Sequence, residues 1–112
     1  MNEQLNKTCE ACHPDALLAT ADEIAAYKKD VPAWQLVQVD GIKRLTRRYQ
    51  FNNFAEALSL TKKVGALAEQ QGHHPTILTE WGQVTVSWWS HKIRGLHIKD
   101  FLMAARTDLL SG

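Results

Sequence analysis

Glu69, His73, His74 and His91 are the residues of this chain whose types and spacing can do chemistry. They lie in Glu69-Gln70-Gln71-Gly72-His73-His74-Pro75 and in the later run Trp88-Trp89-Ser90-His91. Histidine suits proton transfer near neutral pH, because its unperturbed pKa is about 6.5. Glu69 sits four residues before His73, in the last turn of a predicted helix, where the dipole already disfavours an acid. A local rule broken beside a histidine pair points to function. Glu69 either orients a histidine or is simply exposed. Three histidines and a glutamate could also hold zinc, but the spacing matches no familiar zinc pattern, so proton transfer ranks above metal binding.

These residues need elements to bring them together. Residues 1–15 read as an irregular lead. Thr20 and Glu23 form a capping box for a short helix to about Asp30, which Pro32 ends. Residues 34–39 and 42–51 read as a hairpin about Asp40-Gly41, with Leu45, Tyr49 and Phe51 on one face. The main helix spans 53–71, capped by Asn53 and Glu56, with the stripe Phe54, Ala57, Leu58, Val64 and Ala68. Gly72 occupies a left-handed C-terminal cap, followed by Pro75. Residues 76–80 and 83–89 form a second hairpin about Trp81-Gly82, with Val84, Val86 and Trp88 on one face. A last helix covers 98–110 with the stripe Ile98, Phe101, Leu102, Ala105 and Leu109. The order predicts a single α+β domain, helix-strand-strand-helix-strand-strand-helix, whose four-stranded antiparallel sheet carries helices on one face.

Composition limits the function. The chain has 112 residues, 45% hydrophobic and 22% charged, which fits one folded domain. A formal charge of +1 argues against direct nucleic-acid binding. Lys43, Arg44, Arg47 and Arg48 nevertheless cluster, and read as a solvated strand face. No signal peptide and no apolar run of about 20 residues is visible, so no membrane is expected and the location is read as cytoplasmic. Cys9 and Cys12 should then be reduced. Cys9-Glu10-Ala11-Cys12-His13 matches the c-type haem attachment pattern in letters, but no export signal or distal ligand accompanies it.

Glu69-x-x-x-His73-His74-Pro75, Val84-Thr85-Val86, His91, Gly95-Leu96 and Asp100 together resemble the pterin-4a-carbinolamine dehydratases. The resemblance runs from about Trp34 to Asp108. It implies that His73 and His91 do acid–base work, without telling acid from base. It implies that His74 helps hold the pterin and that Glu69 supports the histidines. Pro75, Trp89, Ser90 and Asp100 are candidates for the substrate-binding surroundings. Asp100 equally suits a helix's first turn as a capping acid. His97 stands where Ser or Thr is the usual cap, and this is expected to weaken that cap. Of the adjacent tryptophans, Trp88 is expected in the core and Trp89 at the pocket.

The resemblance implies dehydration of 4a-hydroxytetrahydrobiopterin to a quinonoid dihydropterin, recycling the cofactor of an aromatic amino-acid hydroxylase. The chemistry requires no metal or organic cofactor. Family members form dimers and tetramers, so a homodimer or homotetramer is expected. Some animal members act as dimerisation cofactors of a transcription factor, which makes a protein-interaction module the alternative.

Overall fold

The computed structural model describes residues 16–111. The expectations for the lead, including Cys9 and Cys12, lie outside the described residues. Helix α1 (Ala21–Lys28) precedes strands β1 (Gln35–Val39) and β2 (Ile42–Gln50). Helix α2 (Phe54–Gln71), strands β3 (Thr76–Glu80) and β4 (Gln83–Trp88), and helix α3 (Ile98–Ser111) follow.

Local chemistry sets the ends of these elements. Thr20 Oγ1 accepts from the Glu23 amide at 3.1 Å, and Glu23 Oε1 accepts from the Thr20 amide at 2.9 Å. The two bonds satisfy donors that have no partner within the helix. Asn53 Oδ1 accepts from the Glu56 amide at 2.8 Å. Gly72 closes α2 at φ 63°, a left-handed conformation that needs no Cβ accommodation in glycine. Asp40 and Gly41 take φ of 52° and 78°, the positive pair that a tight primed hairpin turn requires.

The four strands form one antiparallel sheet in the order β1-β2-β4-β3. The two hairpins therefore meet along a central β2–β4 seam that pairs Leu45 with Trp88 and Tyr49 with Val84. Leu45, Tyr49, Val84, Val86 and Trp88 turn to the helices and are buried with Ala57, Leu60, Val64 and Phe101. At about 25 cal/mol per Å² of apolar surface removed from water, this layer is the main source of stability. Among the described residues, no helix packs on the opposite face of the sheet.

The helical stripes differ from expectation in register. Helix α3 buries Lys99, Asp100, Phe101, Met103, Ala104 and Thr107, while Leu109 is 81% exposed. The rotation follows from polar anchors. Trp88 Nε1 donates to Thr107 Oγ1 at 3.0 Å, and Asp100 is drawn inward by three donors described below. On α2, Leu60 and Leu67 join the buried face and Phe54 lies exposed. Strand β4 ends at Trp88 rather than Trp89, because the chain turns through a bridge between Ser90 and Gly95.

The basic cluster is not uniformly solvated. Arg47 forms an ion pair with Asp108 at 2.7 Å. The same Asp108 oxygen accepts from Trp34 Nε1 at 3.0 Å and from Tyr49 OH at 2.5 Å. This network ties the end of α3 to β2 and the turn before β1. Burial and the Asp108 carboxylate push the Tyr49 phenol far above its ordinary value.

Candidate active site

The segment after α2 and the turn after β4 meet at one end of the sheet. Gly72, His73, His74, His91 and Lys92 line a cleft of about 270 Å³ there. The left-handed Gly72 reverses the chain as it leaves the helix, and the His73 amide donates back to the Ala68 carbonyl at 3.2 Å. These two features aim consecutive histidines in different directions, one inward and one outward.

His73 goes inward and is 2% exposed. Its Nε2 donates to Asp100 Oδ1 at 2.6 Å, and its ring stacks on Trp88 at 5.7 Å with the planes 5° apart. Asp100 is fully buried. Its second oxygen accepts from Ser90 Oγ at 2.7 Å and from the His97 amide at 2.9 Å. Three donors and a place in the first turn of α3 compensate this buried carboxylate. Asp100 is thus both the capping acid and the partner of a cleft histidine.

His97 does not weaken the cap as expected. Its Nδ1 accepts from the Lys99 amide at 3.0 Å, so the imidazole takes the part usually played by a Ser or Thr oxygen. With Asp100 accepting from the His97 amide, the pair is a capping box built from unusual residues.

His74 goes outward, and its Nε2 donates to Glu69 Oε2. The side chains are 58% and 79% exposed, so water weakens this pair. Glu69 therefore meets His74 and is also exposed, while the carboxylate behind His73 is Asp100.

His91 lies in the turn beyond β4. Its Nε2 donates to the His74 carbonyl at 3.1 Å. A carbonyl can only accept, so in the neutral ring Nδ1 holds the lone pair. The imidazole stacks on Trp89 at 4.3 Å.

Of the remaining sequence candidates, Pro75 is half-buried and immediately precedes β3. Trp88 and Trp89 are both buried, Trp89 on the helix-free side of the sheet beneath Arg44. Ser90 is fully buried, and its amide donates to the Gly95 carbonyl at 2.7 Å. The fold also adds residues that the sequence reading did not select. Lys99 is fully buried and donates to Gln71 Oε1 at 3.0 Å. Gln71 and Lys99 come from different helices, so no local pattern announces the pair. Among the described residues, no three His, Cys, Asp or Glu side chains are grouped to share one metal ion.

The one-sheet α+β domain that holds this histidine-lined cleft has the fold of a solved pterin dehydratase. A crystal structure described as a transcriptional coactivator/pterin dehydratase from Brucella melitensis superposes with a TM-score of 0.76 at 26% identity, covering 86% of this chain and 100% of that one. The chain belongs to the pterin 4 alpha carbinolamine dehydratase family, whose model matches residues 18–110, a longer stretch than the motifs alone suggested. A protein of Syntrophotalea carbinolica with a provisional pterin-4-alpha-carbinolamine dehydratase name is 56% identical over 98% of both chains. A similarly named protein of Nitrosococcus oceani is 56% identical over 98% of this chain and 97% of its own. The fold is also shared, at TM-score 0.60 and 23% identity over 71% of this chain and 90% of the other, by a pterin dehydratase-like protein described as a RuBisCO assembly factor in the alpha-carboxysome.

Proposed function

We propose that this chain dehydrates 4a-hydroxytetrahydrobiopterin to the quinonoid dihydropterin, with His73 as acid and His91 as base. One observation carries the assignment of roles: the two histidines share a cleft but have opposite partners. His73 is backed by a buried carboxylate at 2.6 Å, which compensates the positive charge of a ring carrying both protons. His91 is held by a carbonyl that leaves its Nδ1 lone pair to receive a proton.

Hydroxide leaves poorly, so His73 protonates the hydroxyl on carbon 4a as the C–O bond breaks and water departs. His91 Nδ1 takes the proton from nitrogen 5, and the electron pair of that N–H bond forms the C=N double bond. The substrate is neither oxidised nor reduced, and exchange with solvent restores both rings. General acid–base assistance of this kind is worth about 10²–10⁴-fold. His74, steadied by Glu69, lies against the pterin. Pro75 and Trp89 shape the cleft's surroundings. Ser90 and Asp100 act from behind it by setting His73. A cleft of about 270 Å³ suits one small flat heterocycle, falling just below the roughly 300–1,000 Å³ usual for drug-sized ligand sites.

In this reading the protein works in the cytoplasm as a homodimer or homotetramer and serves an aromatic amino-acid hydroxylase by returning its pterin. The test is the decay of 4a-hydroxytetrahydropterin followed in a stopped assay. Wild type accelerates it, and His73→Ala and His91→Ala each lose most of the acceleration. A wild-type rate equal to that in buffer would sink the proposal. The description of the Brucella structure as a coactivator favours a second reading as an interaction module. Full dehydratase activity in the His73→Ala/His91→Ala double variant would move the histidines out of the catalytic role and leave that reading.

A further inference from the structure

Arg44 belongs to the basic cluster, yet neither the site nor the Asp108 network uses it. The alternation of β2 puts Arg44 on the helix-free face, opposite to Leu45 and Tyr49. Its guanidinium carbon lies 3.9 Å from the ring centroid of Trp89. Trp89 in turn stacks on His91 at 4.3 Å, with the planes 13° apart. A fixed cation is therefore linked to a cleft imidazole through one indole ring.

Arg44 is held in place but its donors are not spent. Among the described residues it forms no ion pair and no side-chain hydrogen bond, and its Nε is shut off from solvent without an acceptor. A buried donor without a partner is costly, and a guanidinium presents five donors in a fork matched to carboxylate or phosphate. Among the described residues, the helix-free-face positions of β1, β2 and β4 include no acid, and the acid on that face of β3, Glu80, accepts instead from Gln83 Nε2. Lys92 adds a further cation at the cleft.

We propose that Arg44 recognises an acidic group, carboxylate or phosphate, on the side chain at carbon 6 of the pterin. The inference rests on the dehydratase reading and changes its substrate to a 4a-hydroxytetrahydropterin with an anionic substituent at carbon 6, in place of the uncharged dihydroxypropyl chain of the biopterin. The chemistry of the ring sets the direction. His91 is the base for nitrogen 5, and carbon 6 is bonded to nitrogen 5. A substituent at carbon 6 therefore leaves the ring on the His91 side; Lys92 is the cation lining the cleft there, and Arg44 is the cation stacked beyond Trp89, which a side chain several atoms long would reach. The indole orders the guanidinium and limits its hydration, which strengthens a forked bond to an oxyanion.

The test uses two stable pterins that differ by one phosphate at the end of a three-carbon chain on carbon 6, neopterin 3′-phosphate and neopterin, with binding to the full chain read by pterin fluorescence. Wild type binds the phosphate ester about tenfold tighter, the preference expected of one charge-assisted pair. The ratio collapses toward one in Arg44→Gln. It takes an intermediate value in Arg44→Lys, which keeps the charge and loses the fork. In wild type alone the preference shrinks as salt is raised, a readout that does not depend on any variant folding. A packing role for Arg44 would be blind to the charge of the ligand. Equal affinities in wild type, or a preference untouched by Arg44→Gln, overturn the Arg44 assignment while leaving the dehydratase reading in place. Failure of both pterins to bind overturns the two together.

Discussion

Replacing Asp100 by Asn tests how the site is held. The carboxylate has two accepting oxygens and meets three donors: His73 Nε2 on one oxygen, Ser90 Oγ and the His97 amide on the other. Asn offers one acceptor and one NH₂ group. Its oxygen best serves the two donors from Ser90 and His97, which leaves the NH₂ facing His73 Nε2–H. Two donors then confront each other, so the His73 ring must change tautomer or move. Loss of a buried hydrogen bond to a charged group costs about 1.5–3 kcal/mol, read as a lower urea midpoint at unchanged m-value. The catalytic loss is larger than stability implies, because His73 can no longer hold both protons against a carboxylate. We expect kcat to fall by roughly 10²–10⁴-fold, with kcat/KM falling in parallel because the lost interaction belongs to the transition state. The assay is stopped-flow decay of the 4a-hydroxypterin at saturating and limiting substrate. Ser90→Ala is the control: it removes one donor to the same carboxylate, costs a comparable amount, about 1.5–3 kcal/mol, and leaves the direct Asp100–His73 contact in place. A folded Asp100→Asn protein with kcat within about twofold of wild type would refute the assignment of His73 as an acid set by Asp100.

Three further outcomes follow from the geometry. Glu69→Gln lowers kcat/KM by no more than about fivefold, since the Glu69–His74 pair is solvent-exposed; steady-state kinetics reads it. Thr107→Val leaves the buried Trp88 Nε1–H without its acceptor and destabilises the fold by about 1–3 kcal/mol, measured by urea denaturation. Burial and Asp108 raise the Tyr49 phenol, so above its unfolded pKa of about 10 the native state retains a proton that the unfolded state loses. Its contribution to stability is therefore complete below pH 10 and declines as pH rises. In Tyr27→Phe, which keeps only Tyr49, phenolate absorbance should appear together with alkaline unfolding and not before it.

What was legible in the sequence was local. The capping box at Thr20, the cap at Asn53, the primed turn at Asp40-Gly41 and the left-handed Gly72 each depend on a few adjacent residues, and each is present. Hydrophobic alternation gave the correct buried face for β2 and β4. The face of α3 was not legible, because three of its inward residues, Lys99, Asp100 and Thr107, are polar and answer to partners on other elements. A hydrophobic stripe cannot anticipate a rotation imposed by Trp88 and Ser90. The site divided in the same way. Its histidines stood out by type and spacing, but the pairing of Glu69 with His74, and of Asp100 with His73, required the turn at Gly72 in three dimensions. Arg44 could be connected to Trp89 only through the β2–β4 register, which joins segments far apart in the chain.

The strand order β1-β2-β4-β3 has a consequence for the route by which the chain folds. Each hairpin closes over a short loop, whereas the central seam must close the long loop that contains α2 and β3. Local contacts form early and distant ones late, so both hairpins can precede the seam. Asp100 arrives later in the chain still, on a helix that needs the assembled sheet as its docking surface. The His73–Asp100 pair is thus among the last contacts made and, at low φ-value, a position where strengthening slows unfolding more than it speeds folding. The parts that confer reactivity would be absent from the folding nucleus, leaving the scaffold free to form before its chemistry is assembled.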